Sequence, residues 1–214
     1  MYSKEETFNT ITHILGIIFT LSIAWYSIYL GYSPNATWKD AFGVTFFVSG
    51  MLLMFLSSSL YHWVKPGKAK RCLRIFDHIS IYIMIAASYT PICVSVVGGT
   101  LGWIVFGLLW SATIIGMFFK KIALGKTPKV SLILYLAMGW SIVLIAEPVF
   151  TRLNLWAIIW IILEGVFYTS GTYFFAKDSK PYYHGIWHIF VLAGAISHQV
   201  AIISILRNNL EVVI

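Results

Sequence analysis

Two histidines, His184 and His188, open an apolar segment near the end of the chain, residues 181–200, that is long enough to cross a bilayer. Four residues make about one helical turn, so both imidazoles project from one face with the spacing of two ligands to one metal ion. A lone histidine inside a membrane is more often packed or hydrogen-bonded. The pair is equally consistent with metal binding and with a structural role, and the choice depends on whether further ligands reach the same depth.

The composition places the chain in a membrane. Of its 214 residues, 59% are hydrophobic and 11% are charged, whereas a soluble domain has about 25% charged residues. Segments with the roughly 20 apolar residues that a spanning helix needs lie at 8–30, 41–63, 74–96, 101–119, 130–147, 155–176 and 184–206. These segments use nearly the whole chain. We therefore expect an all-α bundle of seven transmembrane helices that forms a single domain over residues 1–214.

The basic residues are distributed unevenly between alternate loops. Twelve lie on one side of the predicted bundle: Lys4, Lys65, Lys68, Lys70, Arg71, Arg74, Lys120, Lys121, Lys126, Lys129, Lys177 and Lys180. Three lie on the other: Lys39, Arg152 and Arg207. The positive-inside rule then predicts a cytoplasmic N-terminus and an external C-terminus. The net charge of +7 follows this loop pattern and indicates no nucleic-acid partner.

This topology brings distant polar residues to one layer of the membrane. The second segment ends with His62, the third begins with Asp77, and the histidine pair begins the seventh, all on the cytoplasmic side. Three imidazoles and a water make the open tetrahedral site of a catalytic zinc ion, with a carboxylate free to orient or deprotonate that water. Ser58, one turn before His62, could donate to the water or polarise a carbonyl. These ligand types favour zinc and leave iron, nickel or copper open.

Structural roles remain open for the same residues. His62 also fits an interfacial side chain of the aromatic belt, and Asp77 fits an ion pair with Arg74 one turn earlier. Glu164, near mid-membrane, is equally consistent with packing and with function. His198, about three turns beyond the histidine pair, is predicted to lie too far from the metal and to pack or line a cavity.

The first segment also begins with polar residues on one helical face. Glu6, Asn9 and His13 follow the spacing i, i+3 and i+7. A polar helix entrance at the membrane interface explains them most simply. In the alternative interpretation, His13 supports a metal-site residue or contacts the substrate.

At these residues the chain resembles the hemolysin III branch of the progestin and adiponectin receptor family (PAQR), itself similar to alkaline ceramidases. The resemblance rests on EETFNTITH, SSSLYH, FDHISIYIMIAASYTP, GVFYTSGTYFFA and HGIWHIFVLAGAISH, in this order along nearly the whole chain. It implies zinc bound by His62, His184 and His188, with Asp77 holding the water and Ser58 completing the family pattern. The short N-terminus lacks the extended cytoplasmic domain of the eukaryotic receptors and favours a bacterial inner-membrane protein.

The sequence therefore predicts a zinc-dependent hydrolase that acts on a membrane lipid, as an amide or ester, at the cytoplasmic side. One alternative is a lipid-responsive regulator of membrane state in which zinc is structural. Another is a cytolysin or pore-forming hemolysin, although a pore needs polar stripes along several spans and the polar residues here crowd at one end. An ion carrier that uses Glu164 and His198 is a weaker alternative.

Overall fold

The structure is a computed structural model that describes residues 3–123 and 128–211 of the chain. Within those two ranges all regular structure is helical, and seven helices are long and apolar enough to cross a membrane. The predicted all-α fold of seven spans is therefore confirmed. The single domain predicted over residues 1–214 includes residues outside the described ranges and stays a prediction.

Five spans are continuous α-helices, and two change helix type along their length. The first, second, fourth, sixth and seventh spans are the helices Lys4–Gly31, Trp38–Trp63, Gly99–Ala123, Leu155–Phe175 and Tyr183–Glu211. The third span joins the α-helix Lys68–Pro91 to a π-helical turn, Ile92–Val97. The fifth joins the α-helix Pro128–Gly139, a 3-10 turn, Trp140–Ile145, and the short α-helix Ala146–Arg152.

Polar caps explain why the first two helices begin before their apolar segments. The Ser3 hydroxyl accepts a hydrogen bond from the Glu6 backbone N–H at 3.1 Å. Thr37 and Asp40 form a reciprocal capping box, in which Asp40 accepts the Thr37 N–H at 2.9 Å. Because these side chains satisfy the free N–H groups of the first turn, that turn stays helical without apolar residues. The first helix therefore includes the polar residues that precede His13.

The third span changes helix type at Pro91. Proline has no N–H to donate, and the chain continues into the π-helical turn with Pro91 still in the helical region, at φ −63° and ψ −38°. The carbonyls of Val96 and Val97, at the end of that turn, accept hydrogen bonds from Arg152 Nη1 at 3.0 and 2.7 Å. Arg152, from the end of the fifth span, therefore caps the third.

The fifth span is interrupted after Gly139, where a 3-10 turn replaces the α-helix. The Tyr89 hydroxyl from the third span donates to the Gly139 carbonyl and accepts the Ile142 N–H at 2.8 Å. One buried tyrosine thus satisfies two backbone groups that the change to 3-10 geometry leaves free, which a membrane interior requires.

The third span is the most deeply buried of the seven, and small residues allow the second span to pack closely against it. At Gly50 an added Cβ would lie 2.4 Å from Ala87 Cβ, and at Gly43 it would lie 2.7 Å from Pro91 Cα. Close backbone approach of this kind holds helices together in lipid, where no hydrophobic effect acts between them. The contact places the ends of these two helices, with His62 and Asp77, beside each other.

Replacing Gly50 with Ala should destabilise the bundle by about 1–3 kcal/mol, because the new methyl group overlaps Ala87. The measurement is the thermal unfolding midpoint of the purified protein in one detergent. Gly107→Ala is the matched control, since nothing lies within 4 Å of a Cβ added there, and it should leave the midpoint unchanged or slightly raised. Equal midpoints for wild type and Gly50→Ala would contradict this packing.

The orientation of the bundle stays a prediction. Lys126, one of the basic residues that predict it, lies outside the described residues.

The cysteines allow the orientation to be tested. Cys72 is exposed at the start of the third span, whereas Cys93 is buried, and both are free. With a cytoplasmic N-terminus, a membrane-impermeant maleimide should label Cys72 only after the cells are permeabilised. Asn35→Cys, in the opposite loop, should be labelled in intact cells of a Cys72→Ser background. The reverse labelling pattern would invert the topology.

Candidate metal centre

Three histidines from the second and seventh spans meet near one surface of the bundle. One ring nitrogen from each of His62, His184 and His188 lies within 4.8 Å of those of the other two. The ring centroids are 4.7 to 5.1 Å apart. Zinc–nitrogen bonds are about 2.0–2.1 Å, so two nitrogens on one ion lie at most about 4.2 Å apart. Small ring rotations would bring all three onto one ion.

The close approach of the first span positions the two histidines of the seventh. Gly185 lies between them, and a Cβ there would meet Phe8 Cδ1 at 2.2 Å and Asn9 Oδ1 at 2.8 Å. Only glycine allows the first helix to lie directly on this turn. The main chain of Asn9 and the side chains that follow it therefore reach the histidine rings.

The chain enters the seventh helix through a strained residue. Tyr182 has φ 63°, a left-handed conformation that is uncommon outside glycine. Its N–H donates to Glu5 Oε1 at 2.5 Å, and its ring packs edge-on against Phe8. These contacts with the first span hold the sharp turn that starts the helix immediately before His184.

Glu6 orients the ring of His62. Its Oε2 atom lies 2.7 Å from His62 Nδ1, and its Oε1 atom lies 2.6 Å from Lys70 Nζ. A carboxylate flanked by lysine can only accept, so the proton of the neutral imidazole is on Nδ1. His62 Nε2 is buried and has no hydrogen-bond partner. A metal-binding histidine has this arrangement: one nitrogen donates to a carboxylate and the lone pair of the other is free for an ion.

His188 is oriented in the same way by the main chain. Its Nδ1 atom lies 3.2 Å from the Asn9 carbonyl oxygen and 3.2 Å from Thr12 Oγ1. Because the Thr12 hydroxyl already donates to the Asn9 carbonyl at 2.8 Å, Nδ1–H donates to that same carbonyl. His188 Nε2 is then the atom available to a metal.

His13 packs against a histidine of the cluster. Its ring stacks on His188, with centroids 3.7 Å apart and planes at 22°. The residue is 3% exposed, and neither ring nitrogen has a hydrogen-bond partner. Its burial beside His188 favours the second of the two interpretations, in which His13 supports the site or contacts a ligand.

Ser58 and Asp77 line a cavity of about 600 Å³ together with His13, His184 and His188. The Ser58 hydroxyl is buried and has no hydrogen-bond partner, so it is free to donate to a ligand. His62 lies beside His184 and His188 but does not itself line the cavity.

Asp77 has a different partner from the one that the sequence suggests. Its Oδ2 atom lies 3.3 Å from Nδ1 of the adjacent His78, and Arg74 lies beyond ion-pair distance. The His78 side chain turns back along the helix, where Nδ1 also lies 2.9 Å from the Arg74 carbonyl. Asp77 therefore keeps carboxylate lone pairs for the cavity.

Glu164 and His198 line the same cavity far from the three-histidine cluster. Glu164 Oε2 lies 2.6 Å from His198 Nδ1, which shows that the two residues form one hydrogen-bonded pair. His198 is ten positions beyond His188, about 15 Å along the helix, and lies outside the metal cluster as the sequence predicts.

Sequence reasoning missed the roles of Glu6 and Thr12. The spacing of Glu6, Asn9 and His13 indicates a shared polar face, which is a usable signal, but it does not identify the helix that this face contacts. Thr12 carries no signal of its own, because a threonine in an apolar helix usually bonds its own backbone.

The chain is similar to known proteins along most of its length. A family model described as Haemolysin-III related matches residues 1–199. The hemolysin-3 homolog of Bacillus subtilis (strain 168) is 34% identical over 192 residues, 90% of each chain. Hemolysin-3 of Bacillus cereus is 32% identical over 91% of this chain and 88% of that protein. The human monocyte to macrophage differentiation factor is 30% identical over 72% of this chain and 66% of its own.

Replacing Glu6 with Gln should lower zinc affinity about 10- to 100-fold, the usual effect of losing a carboxylate that orients a ligand. The amide keeps the volume but loses the charge that holds His62 Nδ1–H and Lys70. Affinity is measured by competition with a chelating dye. Glu147→Gln removes an exposed carboxylate and should bind zinc like the wild type. Unchanged affinity in Glu6→Gln would show that Glu6 does not act on the metal.

Proposed function

The chain belongs to the Haemolysin-III related family, the hemolysin III branch that its motifs resemble, and we propose that it is a zinc-dependent hydrolase of a lipid amide or ester. It is a multi-pass membrane protein. The observation that carries the proposal is the meeting of three histidines, two of them oriented by hydrogen bonds, beside Ser58 and Asp77 at one end of a lipid-sized cavity. By the predicted orientation, this end faces the cytoplasm.

His62, His184 and His188 would hold the zinc ion. They fit it because His62 Nε2 is buried without a partner, and because the Nδ1 atoms of His62 and His188 are already bonded to other groups. Bound zinc supplies Lewis-acid activation of a water molecule. Three protein ligands leave a position for that water, as in catalytic and not in structural zinc sites.

Asp77 and Ser58 supply the remaining chemistry. The oxygen of the water bonds to the carbonyl carbon of the substrate, and Asp77 accepts a proton from that water at the same time. The Ser58 hydroxyl donates a hydrogen bond to the carbonyl oxygen, where negative charge develops. The carbon–nitrogen or carbon–oxygen bond then breaks, and the proton held by Asp77 passes to the departing amine or alcohol. The second product is a carboxylic acid.

The cavity supports a lipid as the substrate. Its volume of about 600 Å³ lies within the usual range of about 300–1,000 Å³ for small-molecule sites. Beyond the polar end its walls carry aliphatic side chains from several spans, including Met84, Ile85, Ile161 and Val191. Such walls suit an acyl chain, while the scissile bond lies beside Ser58 and Asp77.

Two substitutions separate metal binding from catalysis. His188→Ala should lose bound zinc and all turnover, because it removes a ligand. Asp77→Asn should keep its zinc and lose at least about 10²-fold in kcat, since an amide cannot take the proton. Zinc is measured by elemental analysis of the purified protein, and turnover with a panel of fluorogenic lipid amides and esters.

The exposed variant Glu147→Gln is the control for both measurements and should match the wild type. Full zinc occupancy in His188→Ala would contradict the ligand assignment. Loss of zinc in Asp77→Asn would make Asp77 a fourth protein ligand, and the closed site would then favour a structural role for zinc in a lipid-responsive regulator.

A further inference from the structure

We propose that Glu164, His198 and Tyr168 form a second polar subsite in the same cavity, and that it binds a hydroxyl group on the chain of a lipid ligand. The inference rests on the proposed function, in which the substrate is a lipid, and it specifies which class of lipid binds in the cavity. Its test is a binding measurement, so it can succeed or fail independently of the hydrolysis.

The Glu164–His198 pair leaves one hydrogen-bonding atom free. His198 Nδ1 and Glu164 Oε2 are hydrogen-bonded at 2.6 Å, while His198 Nε2 is buried and has no partner. The ring of Phe47 packs against the imidazole, with centroids 4.7 Å apart. Because the carboxylate and this ring fix the imidazole, Nε2 cannot rotate to find a partner within the protein.

Tyr168 supplies a second free group. It lies one turn beyond Glu164 on the same face of the sixth span, and its hydroxyl is buried without a hydrogen-bond partner. Its ring lies against Gly194 of the seventh span, where an added Cβ would approach Tyr168 Cζ to 2.7 Å. Gly194 is one turn before His198, so the close approach of the two helices sets the tyrosine beside the pair.

These groups line the cavity that also holds the candidate metal centre. An unpaired hydroxyl and an unpaired imidazole nitrogen in an apolar membrane interior are costly to maintain. A ligand group that both donates and accepts would satisfy them, because it can pair with His198 Nε2 and with the Tyr168 hydroxyl whichever of the two is the donor. An aliphatic hydroxyl does both, whereas a methylene does neither and a carboxylate cannot donate.

The distance between the histidine cluster and the second polar subsite indicates which kind of lipid would reach both. His188 and His198 are separated by about 15 Å along one helix, and Val191, the residue between them on that helix that lines the cavity, is apolar. The ligand is therefore a long-chain acyl group with its reactive carbonyl at the metal centre and a hydroxyl far down the chain. Stearate hydroxylated at its twelfth carbon is a suitable probe, and stearate itself is the matched probe without the hydroxyl.

The test measures the affinity of both probes for the purified, zinc-loaded full chain in lipid nanodiscs. The wild type should bind the hydroxylated probe about tenfold more tightly than stearate, the effect of one buried hydrogen-bonding group. Tyr168→Phe removes one oxygen atom and should abolish most of that preference while stearate still binds. Tyr173→Phe, an exposed tyrosine of the same helix, is the control and should keep it.

His198→Gln is the second variant, because it removes the other free atom, and it should cause the same loss. Equal affinity of the wild type for the two probes, or no binding of either, would overturn the proposal. A preference that survives both substitutions would also overturn it, since the hydroxyl would then lie elsewhere. A clear preference without hydrolysis of any lipid amide or ester would support the subsite and count against the proposed enzymatic function.

Discussion

The packing of the first span on the first turn of the seventh positions the histidine cluster. Gly185 leaves room for the first helix, and the polar face of that helix then meets the histidines. Glu6 orients His62, the Asn9 carbonyl orients His188, and His13 stacks on His188. A histidine that binds a metal almost always donates its other ring N–H to a neighbouring group. The first span supplies such a partner to His62 and to His188.

The membrane interior makes every such bond necessary. A polar group that faces lipid without a partner is unfavourable by several kcal/mol, and the irregular segments are bonded accordingly. Tyr89 bonds the backbone where the fifth span changes to a 3-10 turn, and Arg152 caps the π-helical turn of the third. Several buried side-chain atoms have no partner, among them atoms of His13, Ser58, His62, Tyr168 and His198. These five residues line the cavity or belong to the histidine cluster beside it, where a ligand could supply the missing hydrogen bonds.

The apolar segments of the sequence predict the fold more reliably than its polar residues predict the site. Seven apolar segments are predicted because each must be long enough to cross the bilayer, and the helices follow them. The irregular turns after Pro91 and Gly139 are harder to predict from the sequence than the spans themselves. A π or 3-10 turn in a membrane depends on a partner such as Arg152 or Tyr89 that lies more than fifty residues away. The helix propensities of the residues in the turn carry no information about such a partner.

By itself the sequence determined the class of protein and the candidate ligands. Apolar length requires spanning helices, and helical spacing places His184 beside His188. Alternation of the spans across the bilayer places His62 and Asp77 in the same layer. Only the tertiary structure decided that His78 and not Arg74 contacts Asp77. It also decided that Glu6 bonds His62. The cavity that Glu164 and His198 share with the histidine cluster likewise follows from the tertiary structure alone. The physical reason is that rotation of each helix about its own axis depends on close contacts at glycines such as Gly185 and Gly194, and a rotation of one residue redirects a side chain by about 100°.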